Sequence, residues 1–311
     1  MEDLFIHTET MKRASKSPCL NALMVFFLML YLFFFARRLG IGFEPEYSAK
    51  PRLIEALSNK CVRQVVAGYD FSFAICEDNS VYSWGSNSAF QCLISKDSAK
   101  KKSTTNNIEQ ADIPIVWLPT LVTAFDECFA EFASKLSSSE SIASIEAGNF
   151  CGVAVTTSGN LLVWGKSEHK AHAHGKDAQL EKPVCLQYVI PQLENVKFED
   201  VKLTFEHVLA LGTQVKSKQQ KVFSFGWNNF GQLGNGTTRE LDNLSVHCIE
   251  SLTGKDIKSI AVGATHSMVL CSNGKLYVFG SNAYGQCGNG VNCKILATPR
   301  LHALQNVERI Y

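Results

Sequence analysis

Residues 257–290 read IKSIAVGATHSMVLCSNGKLYVFGSNAYGQCGNG, and the fold is decided by what recurs around this stretch. AVGATHSMVL (261–270) and LYVFGSN (276–282) alternate apolar with small or polar residues, as strands do. The run then passes into Gly285-Gln286-Cys287-Gly288-Asn289-Gly290, where glycine and asparagine permit the positive φ of tight turns. Working outward, the aromatic-glycine strand returns as VYSWGSN (81–87), LLVWGKS (161–167) and VFSFGWN (222–228). Each is preceded by a second strand-like block: VVAGYDFSFAI (65–75), IEAGNFCGVAV (145–155) and VKLTFEHVLAL (201–211). Gly68 to Gly85, Gly148 to Gly165 and Gly263 to Gly280 are each 17 residues apart, a spacing chance does not give three times. In the third unit Thr204 replaces the first glycine, and a polar insertion around Gln214 to Lys221 widens the interval.

The aromatic-glycine anchors at 85, 165, 226 and 280 are 80, 61 and 54 residues apart, the size of propeller blades with an insertion in the first interval. A second glycine turn follows at Gly231-Gln232-Leu233-Gly234-Asn235-Gly236. Pro51-Arg52-Leu53, Pro119-Thr120-Leu121, Pro183-Val184-Cys185 and Pro299-Arg300-Leu301 read as unit openings, each starting a short strand, with proline at an edge. The expected fold is therefore all-β, a partial, open β-propeller of about four to five four-stranded blades. An N-terminal apolar helix and one inserted amphipathic helix accompany it. The structural anchors of the repeat are Gly68, Trp84, Gly85, Gly148, Trp164, Gly165, Phe225, Gly226, Gly263, His266, Phe279 and Gly280. His207 and His266 hold the repeat's histidine position and are expected to be buried, hydrogen-bonded braces.

These residues resemble the regulator of chromosome condensation repeat family, whose blades show a G-x-x-H-S block, an aromatic-glycine pair with Asn two residues on, and a G-Q-L-G turn. Gly263, His266, Ser267, Phe279, Gly280, Asn282, Gly285, Gln286 and Gly288 match most fully. Departures are Asp70-Phe71 and Phe150-Cys151 near the His-Ser position, the loss of turn glycines over 88–93, and the loss of that turn beyond Ser167. The family's ring closes with seven blades, so the resemblance implies an incomplete ring. Residues 307–311 align with 62–66 and 257–261, and the expectation is a truncated product or a piece of a longer protein. The resemblance also implies a small GTPase as one candidate partner, with guanine-nucleotide exchange the activity of the family's namesake. Ubiquitin ligases carrying such repeats and the plant ultraviolet photoreceptor are weaker fits, for want of room for a ligase domain and of closely spaced tryptophans.

Residues 19–36, CLNALMVFFLMLYLFFFA, carry no charge and would reach roughly 27 Å as a helix, enough for one membrane span. A cleaved signal peptide or an artefactual start are the alternatives. Arg37 and Arg38 follow directly and favour an anchor, while lysines and arginines on both flanks leave orientation open. The expected organisation is a tail (1–17), a transmembrane helix (18–38) and a repeat domain (45–311) with an insertion at 94–140. The expected localisation is single-pass membrane with the repeats cytosolic, or cytoplasmic or nuclear if the segment is not genuine. The cysteines beyond it show no CxxC pair and read as buried, reduced thiols. Two sequons, Asn235-Gly236-Thr237 and Asn243-Leu244-Ser245, point weakly the other way.

A formal charge of +1 gives no field to draw nucleic acid, which is excluded as the main partner. Residues 94–112 are a polar loop, with Lys100 to Lys102 a solvated cluster rather than a localisation or phosphate patch. Apolar residues at Leu121, Phe125, Cys128, Phe129, Phe132 and Leu136 follow a helical period and should pack on the blades. His169, His172 and His174 have a spacing compatible with metal ligation, but they fall on a blade-to-blade loop and no cysteine completes a set. No nucleophile, P-loop or zincin motif appears. No catalytic residue, metal or cofactor is expected; the expected function is a non-catalytic protein-interaction scaffold with an unidentified protein partner.

Overall fold

The computed structural model describes residues 53–95, 115–131, 140–174, 178–205, 207–290 and 293–310. They fall into two compact units, up to Ala124 and from Phe125 onward. The first unit is one antiparallel meander, β1 (Val62–Ala67), β2 (Phe71–Cys76), β3 (Val81–Ser86) and β4 (Ile115–Leu121), in that spatial order. All six residues of β2, FSFAIC, are buried, as expected of an inner strand with sheet faces covered on both sides. Phe71 and Phe73 meet edge to face at 5.9 Å within this layer.

The second unit repeats the meander three times. Helix α1 (Ala124–Glu131) leads into β5 (Ile142–Ala147), β6 (Cys151–Thr156), β7 (Leu161–Lys166) and β8 (Gln179–Cys185). A short helical turn, α2 (Leu186–Val189), precedes β9 (Val196–Thr204), β10 (His207–Gln214), β11 (Gln220–Gly226) and β12 (His247–Cys248). The last sheet is β13 (Ile257–Val262), β14 (His266–Cys271), β15 (Leu276–Ser281) and β16 (Ile295–Leu301). Each sheet is four-stranded with sequential neighbours paired, so the four sheets are four blades, termed I to IV. The polar insertion in blade III lengthens the β10–β11 hairpin, which pairs from His207↔Gly226 to Thr213↔Gln220.

Successive blades of the second unit share apolar layers. Between II and III lie Val153, Val163, Phe198, Val201 and Phe223. Between III and IV lie Leu209, Leu252, Ile260, Val269 and Phe279. Burial of one such side chain contributes about 1.5–3 kcal/mol, so these layers set the blade stack. Helix α1 buries Phe125 and Cys128, with the Phe125 ring 5.4 Å from Trp164, edge on. The amphipathic helix therefore packs on blade II as its period implies, over a shorter span than the pattern 121–136; residues 132–139 lie outside the described set.

Several expectations are corrected. The triplets at Pro119, Pro183 and Pro299 do not open blades; they lie in β4, β8 and β16, the outer strands that close them. Proline needs a position with no ladder N–H, and an outer edge supplies one anywhere along its length. The opening of a fifth blade at Pro299 thus disappears. Residues 307–310 are not in a strand, although Val307 and Ile310 pack on the core of blade IV and Val307 N donates to Gly274 O. The expected span at 19–36 and the lysine cluster at 100–102 lie outside the described residues. No helix among the described residues is long and apolar enough to cross a membrane, and the single-pass membrane localisation is withdrawn. Among the described residues nine cysteines are free, seven of them buried, but Cys61 is disulfide-bonded and departs from the reduced reading.

Candidate interaction face

The anchors owe their identity to one local feature. In blades I, II and IV the pairing between third and fourth strands slips at the aromatic-glycine pair, between Ser83 and Gly85, Val163 and Gly165, and Val278 and Gly280. The glycines take φ of +108°, +89° and +106°, and a Cβ on Gly85 would sit 2.4 Å from Asp70 O. A side chain there is excluded both by conformation and by space. In these blades the bulge turns the preceding aromatic inward, and Trp84, Trp164 and Phe279 are buried; Phe225, before Gly226 in blade III, is buried as well. Gly68, Gly148 and Gly263 close the first hairpin of their blades, each N–H donating to the carbonyl of the residue three on.

Strand direction alternates in each meander, so the first hairpin turn and the loop from third to fourth strand leave from the same end of a blade. That loop contains a recurrent turn. In blade III, Gly231 N donates to Asn228 O, Gly234 N to Gly231 O, Phe230 N to Gln232 Oε1 and Leu233 N to Asn228 Oδ1. Blade I keeps it without glycines: Phe90 and Leu93 adopt φ of +60° and +56°, held by Asn87 and Gln91 in the same roles. Blade II, where sequence reading finds the turn lost, keeps it too. Lys170 and Ala173 stand at φ +60° and +61°, Ala173 N donates to Lys170 O, and Ser167 Oγ accepts from Ala171 N. Left-handed backbone at non-glycine residues costs about 1–2 kcal/mol each and persists only where neighbours enforce it.

The histidine cluster is part of this turn. His172 occupies the buried position of Leu233 and is fully enclosed; its Nδ1 accepts from His174 N and its Nε2 lies 3.0 Å from Ala178 O. Burial lowers its pKa to about 4, so it is a neutral core side chain. His169 points elsewhere: Nδ1 is 2.6 Å from Glu240 Oε1, and the ring stacks on Trp227 at 5.2 Å. The three imidazoles therefore do not converge, and among the described residues no group of three or more metal-type ligands forms. Lys170 Nζ to Leu241 O and Leu244 N to Ala173 O complete the clasp between the long loops of blades II and III.

His207 is a brace, as its repeat position implies. Its Nε2 is 3.2 Å from Ser267 Oγ, and that hydroxyl donates to Gln232 O at 2.9 Å. The hydroxyl proton is committed to the carbonyl, so Nε2–H of His207 is the donor in the first bond. Burial lowers the His207 pKa to about 3. His266, its counterpart in blade IV, is only half-buried. Nearer the first strands, Lys202 bridges Glu146 at 2.9 Å and Asp200 at 3.1 Å, tying β9 to β5. Burial raises the Glu146 pKa against the pull of that ammonium.

What the sequence reading missed are the apolar groups this end presents. Phe205 (45% exposed) and Leu244 (45%) both sit at positive φ, and Tyr284 is 95% exposed. The tight β9–β10 turn that replaces Gly-x-x at Thr204 was the available signal for Phe205.

Bulged blades, a repeated loop turn and interblade braces define a repeat protein of the propeller type. Comparison with known proteins agrees: residues 220–270 and 273–310, and 62–91 and 257–286, match two models described as the regulator of chromosome condensation (RCC1) repeat. Residues 62–91 and 220–310 are thus similar to RCC1 repeats. It is similar to the human probable E3 ubiquitin-protein ligase HERC3, 25% identical over 248 residues, covering 79% of this chain and 20% of the relative. It is also similar to the Arabidopsis thaliana ultraviolet-B receptor UVR8, 26% identical over 255 residues, covering 82% and 49%. The chain thus spans less than half the length of these relatives. Among solved structures, Prp20p from Saccharomyces cerevisiae superimposes with a TM-score of 0.64 at 19% identity, covering 88% of this chain and 59% of that one, which shows the fold.

Proposed function

We propose that this chain is a non-catalytic protein-interaction scaffold whose blades hold binding loops at one end. The observation that carries the reading is the placement of Phe205, Leu244 and Tyr284. These three large apolar side chains stand in solvent on turns and loops of the second unit, two of them on strained backbone. Rigid strands carrying exposed apolar loops suit recognition, because little ordering entropy is lost on binding. Prp20p has binding properties toward Gsp1p and histones, which supports a protein partner of the same kind here. Exchange on a small GTPase is the second reading, and that fold likeness is what favours it.

The test is binding of the full chain to a panel of small GTPases and to core histones, with GDP release followed in parallel. The scaffold reading expects binding to a panel member without faster release, weakened at least tenfold by Phe205→Ala at unchanged melting temperature. Release accelerated tenfold or more moves the protein to the exchange-factor class; Phe205→Ala and Tyr284→Ala leaving every affinity unchanged refutes the assigned face.

A further inference from the structure

Two buried thiols meet where helix α1 lies on blade II. Val163 belongs to the apolar layer shared with blade III, so its neighbours Leu162 and Trp164 point to the opposite face of the sheet. Cys185 on β8 pairs with Leu162 across the ladder and therefore stands on that same face. Helix α1 covers it. Phe125 meets Trp164 edge on at 5.4 Å, and Cys128, one turn further and about 4.5 Å along the axis, lies on the same side of the helix. Glu127 Oε2 is 3.6 Å from Lys182 Nζ, which sets this turn of the helix over β8. Cys128 and Cys185 are both buried, and both are free thiols. Burial pushes them up to about 11 and about 12, and at Cys185 the charge of Cys128 adds to the rise, so the two sulfurs lie within electrostatic reach of each other. Cys185 Sγ reaches Gln187 Oε1 at 3.6 Å and Asn160 Oδ1 at 4.0 Å, weak contacts that leave the sulfur free to turn.

We propose that Cys128 and Cys185 form a redox latch: oxidation joins them in a disulfide that pins α1 to the outer strand of blade II, and reduction releases the helix. The oxidant is a low-molecular-weight disulfide. One cysteine thiolate attacks a sulfur of that molecule, expels a small thiolate and leaves a mixed disulfide. The thiolate of the second cysteine then attacks the protein-side sulfur, the Cys128–Cys185 bond forms and the second small thiolate departs. The protein gives up two electrons and two protons, and the small disulfide takes them up as two thiols. Little thiolate exists at neutral pH while α1 is docked, so exchange runs through brief lifting of the helix. The latch therefore closes slowly, under sustained oxidising conditions. Once closed, it is shielded from reductant by the same helix. The device does not depend on what the loops of the candidate face bind.

The full chain is equilibrated with oxidised and reduced glutathione over a range of ratios, quenched in acid, alkylated under denaturing conditions and digested. Mass spectrometry then quantifies the linked Cys128–Cys185 peptides, and hydrogen exchange of α1 is followed on the same samples. The linked pair is expected to accumulate as the ratio becomes more oxidising, and exchange of the amides over 125–131 to slow at least tenfold relative to the reduced chain. Cys185→Ala should abolish both effects. The decisive comparison is between the oxidised and reduced parent, so it stands even where the variant folds poorly. Recovery of both thiols unlinked overturns the latch, as does either one joined to another cysteine or to glutathione in place of its partner. A linked pair that leaves α1 exchange unchanged overturns it too, because the bond would then hold nothing that was free to move.

Discussion

Acid should unfold this protein through histidines that the blades hold neutral. His207 and His172 are fully buried, and burial lowers their pKa values to about 3 and about 4, against 6.5 for the free side chain. A depressed pKa means that the unfolded chain binds the proton first. Each group therefore contributes its full stabilisation above pH 6.5 and loses it progressively as pH falls toward the folded value. Linkage at 1.36 kcal/mol per pH unit gives a loss of about 2 kcal/mol for each histidine between pH 7.5 and pH 5, about 4 kcal/mol together. That is a large share of a domain stability of roughly 5–15 kcal/mol. Asp78 and Glu140, whose pKa values are lowered by hydrogen bonds from Ser80 and, against burial, from Ser158, act only below about pH 4.5, whereas His247 and His266, lowered by burial, add to the loss in this window and Glu146, raised by burial, opposes it, so the His207 share is read from its variant. Urea unfolding at pH 7.5 and 5.0 measures the difference. His207→Gln keeps a donor toward Ser267 without a titrating group, and should shrink the pH-dependent loss by about 2 kcal/mol. A variant with the undiminished pH slope, or a native His207 resonance titrating near 6.5, would refute the argument that burial sets its charge state.

The remaining predictions concern backbone and thiols. Gly280→Ala drives a Cβ to 2.6 Å from Thr265 O at φ +106° and should cost about 3 kcal/mol or more in urea unfolding, whereas Gly285→Ala, in open space, should cost about 1. Lys170→Gly should stay within about 0.5 kcal/mol of the parent, and Lys170→Val should lose about 2 kcal/mol, since a β-branched residue is strained at φ +60°. Burial pushes the thiols of Cys128 and Cys287 up to about 11 and that of Cys185 up to about 12, so alkylation at pH 8 followed by mass spectrometry should label exposed Cys293 about a hundredfold faster.

The blade repeat was legible from the chain because its demands are local. A positive-φ glycine, an aromatic before it and period-two alternation leave the same marks in every blade, and Gly85, Gly165, Gly226 and Gly280 carry them. The period of α1 was equally readable, since a helix face is a short-range pattern. The turn in blade II was not, because Lys170 and Ala173 adopt a glycine's conformation under pressure from neighbours far along the chain. Nor could spacing distinguish His172, enclosed in the core, from His169, paired with Glu240 and stacked on Trp227. Proline at an outer strand fits either end of a blade, so the sequence placed Pro299 at an opening and the sheet pairing placed it at a closing strand. Sequence by itself determined the repeating unit, whose constraints are met within a few residues. Only the tertiary structure decided which histidines are braces and which apolar groups face solvent, because those depend on what the neighbouring blade brings against them.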